Sequence, residues 1–454
     1  MTIAVFERSE RRSGRNAKDP SHRSPALRDR DRILYSEAFR RLGGVTQVAL
    51  GSPNMVLHNR LTHSLKVEQV GISLFTKLSV DGSLEDLADE HAVAAACLAH
   101  DLGHPPFGHA GEQELHQLVV CAAHQKTTRT LAARLADPCT DCLLEDGFEG
   151  NAQSFRILTA LAVHKDTSKD VPYGLDLTAG TLRATTKYPW AHGDNAAKPE
   201  KWGAYDSDID VLNSLTGGAQ TLSLDAQIMD WSDDISYAVH DIEDFYRTGF
   251  IPFDQLKEKT DSLNRFLAYV EARQGPISTE LRDIFDEVML YFPSRRFAGN
   301  SEDFAELDKL RGTLLTQFIN GASVDGENLA LDSTQKKLNS IIKQFIWYYV
   351  IDAPQLTNIQ AGQRRVLREI FEALRPQLED TYKVGLEAKP SDSDLRRLPH
   401  ALRAAVDTSL RQDSTYTKSQ RILRGLIDYI AGLSDAQAYF EHSVLKGREP
   451  VGHL

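Results

Sequence analysis

Apolar residues recur at helical spacing along most of the chain, and the segments 84–100, 225–248, 305–320, 334–351, 362–382 and 419–432 are predicted helices. In "LEDLADEHAVAAACLAH" (84–100), Leu84, Leu87, His91, Ala94, Ala95 and Leu98 fall on one stripe. In "DAQIMDWSDDISYAVHDIEDFY" (225–246), Ile235, Val239, Ile242 and Phe245 form an apolar face. Asp233, Tyr237 and Asp241 stand roughly opposite, four residues apart, and such an acid–Tyr–acid stripe taken alone faces water. Runs with the strand period are few and short, and no repeat of solenoid length is present. The least regular stretch is "KYPWAHGDNAAKPEKWGAYDSDIDVLNSLTGG" (187–218). A loop of that length inside a compact domain is more often functional than idle. The pattern therefore predicts one large, mostly helical all-α body with an irregular mid-chain excursion.

Composition narrows the class. Hydrophobic content of 41% and charged content of 26% belong to a globular chain, and no apolar run approaches a membrane span. The start, "MTIAVFERSERRSGRNAKDPSHRS", lacks an apolar core with a small-residue cleavage site, so no signal peptide is expected. Residues 1–28 are expected as a mobile basic arm, a solvated tail before any nucleic-acid contact, with residues 29–454 forming the domain. Within it, a core of about 40–250 precedes a C-terminal helical part of about 251–454. Net charge of −12 argues against a surface built for nucleic acid, yet leaves room for local cations around a small anion. Four cysteines make no disulfide framework, and a cytoplasmic location is expected.

Chemistry concentrates in "CLAHDLGHPPFGHAGEQEL" (97–115). His100, His104 and His109 cluster there, with His116 immediately after, out of 15 histidines in the chain, and Asp101 and Glu112 stand among them. Gly103 and the Pro105-Pro106 pair stop a helix at His100-Asp101, so both side chains can turn towards one ion from its end. Two ligands leave a site incomplete. "HNRLTHSLKVEQVG" (58–71) offers Arg60 and His63, and the Asp233 face offers a carboxylate. Glu112 follows His109 by three residues, so a resumed helix would pair them, with the carboxylate fixing the tautomer of the imidazole.

The order His63, His100-Asp101, Asp233 resembles the HD phosphohydrolase superfamily, and "HDLGHPPFGHAGE" is similar to its deoxyguanosine triphosphate triphosphohydrolase branch. Further similar stretches are "DRDRILYSEAFRRLGGVTQV" (29–48), "RLTHSL" (60–65), "GFEGNAQSFRIL" (147–158), "KYPW" (187–190), "KWGAYD" (201–206) and "DYIAGLSD" (428–435). The resemblance implies an HD-type helical fold and hydrolysis of a deoxynucleoside triphosphate to deoxynucleoside and inorganic triphosphate. It implies His63, His100, Asp101 and Asp233 as ligands of a divalent metal; mixed nitrogen and oxygen donors suit manganese, magnesium, iron or nickel. It also implies His109 and Glu112 as the catalytic pair, with His104 near the phosphates. Arg60, Lys187 and Tyr188 match phosphate-side positions, with Lys201 a looser match. Gln47, Tyr237 and Asp241 match positions around the sugar, where a ring against C2′ would exclude a 2′-hydroxyl. Gly150 departs from the mammalian dNTP-depleting relatives, which carry histidine there. Relatives form hexamers or tetramers, so a homo-oligomer is expected, and a dNTP or single-stranded DNA is a candidate activator. Two other readings stay open: an HD phosphohydrolase of monophosphates or signalling nucleotides, and a catalytically idle protein that senses nucleotides or binds nucleic acid.

Cys121, His124, Cys139 and Cys142 follow the pattern C-x2-H-x14-C-x2-C, which has zinc-site spacing. Against it, "CAAH" reads as a helix continuing, where Cys and His three apart also meet by packing. Packing is therefore the default, with structural zinc the alternative. Cys97, in the Ala-rich helix, is expected as a buried apolar residue.

Overall fold

The computed structural model describes residues 5–14, 22–47, 57–80, 82, 84, 87–125, 127–164, 172–257, 261–384, 390–412 and 414–448. Capping chemistry sets most helix starts. Ser223 accepts from the Ala226 amide to open Leu224–Arg247, and Thr417 forms a reciprocal capping box with Gln420 ahead of Lys418–Ala431. The other predicted helices are found as Ser301–Asn320, Ser333–Ile346 with a wide turn to Ile351, and Pro354–Thr381. Among the described residues the only sheet is a hairpin, Ala322–Asp325 against Asn328–Leu331. The fold is all-α.

Three apolar clusters organise the chain. The first joins Arg60–Val80, Glu90–Ala99 and Leu224–Arg247 to the helices between 253 and 350. Gly71 lets the first two of these cross closely, because a β-carbon there would stand 2.6 Å from Cys97 Sγ. The second packs His109–Val119 against Pro354–Thr381, His400–Arg411 and Lys418–Ala431. The third lies under the N-terminal helices and Ala179–Ala184. Each wholly buried aliphatic side chain contributes about 1.5–3 kcal/mol. His63, His100 and Asp233 sit on helices of the first cluster and Glu112 on a helix of the second, so the candidate site lies where the two bodies meet.

Four expectations need correction. The helix expected over 84–100 begins at Glu90, because the Asp89 carboxylate caps the His91 and Ala92 amides while its own amide donates to buried Asp225; residues 85 and 86 lie outside the described residues. The described part of the basic arm is tied down: Arg11 is buried against Asp29 at 2.7 Å, and Arg8 reaches Asp225 at 2.8 Å. Residues 1–4 and 15–21 of that arm lie outside the described residues, and a helix already starts at Pro25. The excursion over 187–218 is irregular but closely packed, with Trp190, Trp202 and Tyr205 buried and a helix at Ile209–Thr216. "CAAH" does not continue a helix: Val120 is extended, so residues 121–124 form a separate turn.

Candidate active site

His63 stands one turn into Arg60–Val80, and His100 caps the C-terminus of Glu90–Ala99. The His100 Nδ1–H donates to the Cys97 carbonyl at 2.7 Å, which leaves Nε2 as the lone-pair nitrogen. That Nε2 is buried without a hydrogen-bond partner and points between Asp101 Oδ2 and Asp233 Oδ1, 3.5 Å from each. His63 Nε2 lies 3.2 Å from the same Asp233 oxygen. Donor atoms of His63, His100 and Asp101 all fall within 4.8 Å of one another. Two imidazoles and two carboxylates converging on an orphaned nitrogen are a donor set that fits a divalent cation.

Cations hold these acids ionised. Burial would raise Asp101, but the Arg60 guanidinium, 2.8 Å away, and the imidazoles of His100 and His104 keep it well below the usual carboxylate range. Burial would raise Asp233 likewise, and Lys187, His100 and His63 hold it well below. Lys187 bridges Asp230 at 2.5 Å and Asp233 at 3.2 Å, and these acids lift its own pKa despite burial. Arg60 and Lys187, matched to phosphate-side positions, thus each hold one of the clustered carboxylates. His104 lies 3.0 Å from Asp101 Oδ1, and burial with Arg60 pulls it down to about 4, so it is neutral at physiological pH.

Helix His109–Val119 restarts after a strained turn. Phe107 and Gly108 both have positive φ, and a β-carbon on Gly108 would meet Arg60 Nη2 at 2.9 Å. His109 Nδ1 and Glu112 Oε2 pair at 2.9 Å, with the imidazole exposed and the carboxylate buried. The other Glu112 oxygen accepts the Gly150 amide at 3.0 Å and lies 3.6 Å from Lys201. His109, its carboxylate and His104 form a second compact group beside the first. At the departure noted above, a β-carbon on Gly150 would stand 3.5 Å from the His104 ring, so a larger side chain would compete for that space.

The stripe expected to face water does not. Asp241 is 2% exposed, and burial, Asp244 and Asp233 push its carboxyl well above the ordinary range. Tyr237 is half-buried with Lys343 Nζ 5.5 Å from its ring centre. Asp241 Oδ2 and Gln47 Oε1 are buried acceptors without a partner among the described residues. Tyr188 packs on Trp190 and lies under Lys198, whose ammonium is 5.3 Å from its ring. Four contributors escaped sequence reasoning. Asp435 accepts the Phe107 amide at 2.8 Å and the Thr46 hydroxyl at 2.5 Å, which holds the strained turn. Ser154 accepts the Gly103 amide and donates to the His100 carbonyl. Asp230 anchors Lys187, and Glu149 holds Lys201 at 2.9 Å. Asp435, Ser154 and Glu149 fall inside the matching stretches, but nothing local marks their partners.

A helical body with histidine and aspartate converging from three separated helices is the architecture of an HD-domain protein, and the sequence model of the HD domain family matches residues 60–164. A protein of Streptomyces coelicolor named deoxyguanosinetriphosphate triphosphohydrolase-like is 35% identical over 94% of this chain and 93% of its own length. Proteins with the same name from Corynebacterium glutamicum and Shewanella sediminis are 38% identical over 78% of the chain and 28% identical over 93%. They are covered over 80% and 92% of their own lengths. The chain belongs to the deoxyguanosinetriphosphate triphosphohydrolase-like family of HD-domain proteins. Among the described residues no helix is long and apolar enough to cross a membrane.

Proposed function

We propose that this protein is a metal-dependent deoxynucleoside triphosphate triphosphohydrolase, releasing deoxynucleoside and inorganic triphosphate. The observation that carries the reading is the convergence of His63, His100, Asp101 and Asp233, flanked by Arg60 and Lys187 and by the separate His109–Glu112 pair. His63, His100, Asp101 and Asp233 would hold a divalent cation, and the chemistry it would supply there is Lewis-acid polarisation of the phosphoryl group. Arg60, Lys187, Tyr188 and Lys201 bind and orient the triphosphate, Arg60 through guanidinium nitrogens other than the one on Asp101. Neutral His104 adds a hydrogen bond beside the phosphates without a charge of its own. His109 takes a proton from water or gives one to the leaving oxygen, and Glu112 holds its tautomer and stabilises its charged form. Gln47 and Asp241 supply unpaired acceptors for sugar hydroxyls, and the Tyr237 ring covers C2′.

Product analysis tests the reading. Purified protein is incubated with each dNTP, singly and in pairs, with manganese, magnesium, iron or nickel. Inorganic triphosphate is the expected product. Pyrophosphate, or hydrolysis of monophosphates alone, would assign another HD phosphohydrolase chemistry. No turnover under any metal, with nucleotide still bound, would make the protein a sensor. Paired nucleotides and added single-stranded DNA test activation, and light scattering with and without nucleotide tests the hexamer or tetramer.

A further inference from the structure

Cys121, His124, Cys139 and Cys142 are used by none of the chemistry above, and the fold brings them together. Cys121 Sγ lies 3.5 Å from His124 Nδ1 and 3.9 Å from Cys139 Sγ, and His124 Nδ1 lies 3.4 Å from Cys142 Sγ. All four donor atoms fall within 4.8 Å of one another. A tetrahedral zinc ion with bonds of about 2.3 Å to sulfur and 2.0 Å to nitrogen separates its ligands by roughly 3.8 Å for sulfur pairs and 3.5 Å for sulfur and nitrogen. The observed separations are edges of that tetrahedron. They are far longer than the roughly 2.0 Å of a disulfide, and all four cysteines of the chain are free.

The backbone around the group supports the same reading. The two halves lie outside any helix, a turn at 121–124 and an irregular segment at 139–142. In the first, the His124 and Gln125 amides close on the Cys121 carbonyl at 3.0 Å each. The Cys121 amide donates to Cys142 Sγ at 3.3 Å, which ties the two halves together. Packing alone would bury an apolar cluster, yet Cys121, His124 and Cys139 are only partly buried while Cys142 is buried. Three polarisable sulfurs and an imidazole turn towards one another at the edge of the second apolar cluster, so their donor atoms are arranged for a cation.

We propose that Cys121, His124, Cys139 and Cys142 bind a structural zinc ion. The ion closes the chain between the end of His109–Val119 and the segment that carries Glu149 and Gly150. The Leu143 and Leu144 amides both return to the Val119 carbonyl, at 2.8 and 3.0 Å, so the staple lies directly behind the helix bearing His109 and Glu112. All four ligand positions are filled by protein, which leaves none for substrate and makes the site structural. The proposal does not depend on the chemistry at the His63–Asp233 centre.

The test uses the full, tag-free chain produced in zinc-supplemented medium, dialysed into metal-free buffer and measured by mass spectrometry of elements. One zinc equivalent per chain is expected to persist in His63→Ala, where the other centre is broken, and to be lost when Cys139→Ser/Cys142→Ser is added to His63→Ala. Zinc absent from His63→Ala, or retained by the combined His63→Ala/Cys139→Ser/Cys142→Ser variant, overturns the site. Because that variant can fail to fold, the second measurement uses unmutated protein. Cobalt substitution should give intense tetrahedral visible bands with thiolate-to-cobalt charge transfer, which the nitrogen and oxygen centre cannot produce. Cobalt-loaded protein without the charge-transfer band, or native protein whose thiols at 121, 139 and 142 react freely with a disulfide reagent, overturns the proposal.

Discussion

Glu112 is bound on both oxygens, by His109 on one and the Gly150 amide on the other. Glu112→Gln keeps the volume but has a single acceptor, so it cannot serve both partners, and it removes the charge beside His109. Turnover should fall about a hundredfold or more with KM and metal content nearly unchanged. A raised KM with normal kcat would make Glu112 a substrate-binding residue. His63→Ala and Asp233→Ala each delete a donor to one centre from helices 170 positions apart in sequence. Metal at that centre and activity should disappear together in both, and full occupancy in either would separate that residue from the ion. At the sugar, loss of the 3′-hydroxyl should leave the buried acceptor at Asp241 unpaired and cost about 1–3 kcal/mol for a dideoxynucleotide. Tyr237→Ala should relax exclusion of GTP more than it weakens dGTP, read as the ratio of kcat/KM values. Equal rates of the unmutated protein on dGTP and GTP would remove the deoxyribose assignment.

Elements place these groups through contacts that local periodicity does not encode. The turn at Phe107 and Gly108 carries the chain from the His100 helix end to His109, and Asp435 pins it from a helix more than three hundred positions later. Asp435→Ala should lower kcat while leaving metal content unchanged, because Asp435 positions the turn and touches neither ion nor substrate. Rescue by Asp435→Asn, which keeps one acceptor, should be partial; unaltered kinetics in both variants would refute the role. The helix starts show the same division. The apolar stripe over 84–100 runs past Asp89, which caps the helix, and the tie to Asp225 helps hold the start at Glu90. Val120 turned extended for a similar reason, as the amides of Leu143 and Leu144 take the Val119 carbonyl.

Across the whole molecule, buried charge links the C-terminal helices to the site. Arg156 is wholly buried and donates to both oxygens of Asp428, at 3.0 and 2.9 Å, with Asp208 at 3.2 Å beyond. Asp428→Asn breaks the ion pair on one side and should cost about 3 kcal/mol, the lower end for a broken buried pair because Asp208 remains. Chemical denaturation would measure it, and a loss below the noise would show that Asp208 suffices. Acid stability follows from His192, whose buried ring lies 4.1 Å from Trp202. Burial first, then Arg134, pulls its pKa from 6.5 to about 4. Below pH 6.5 the unfolded chain binds a proton that the folded protein refuses, so this contribution is whole above 6.5 and lost as pH falls towards 4. The full effect is on the order of 3 kcal/mol. His192→Phe should flatten the fall of unfolding free energy across that window; an unchanged slope would place the acid sensitivity elsewhere.

Helix content and the stop at His100-Asp101 were legible in the chain, because periodicity, capping and the breaks imposed by glycine and proline act within a few residues. So were the residue types of the site, since imidazole and carboxylate donors declare their chemistry wherever they occur. Burial of Asp241 was not legible. Its stripe reads as solvated until the centre around Asp233 closes over it, and which face meets water depends on what packs there. The inward turn of the four zinc-spaced residues also needed the fold, because spacing alone cannot distinguish a turn from a continuing helix. The roles of Asp435, Ser154 and Asp230 arise from long-range hydrogen bonds and ion pairs whose two ends carry no mutual signal in the sequence.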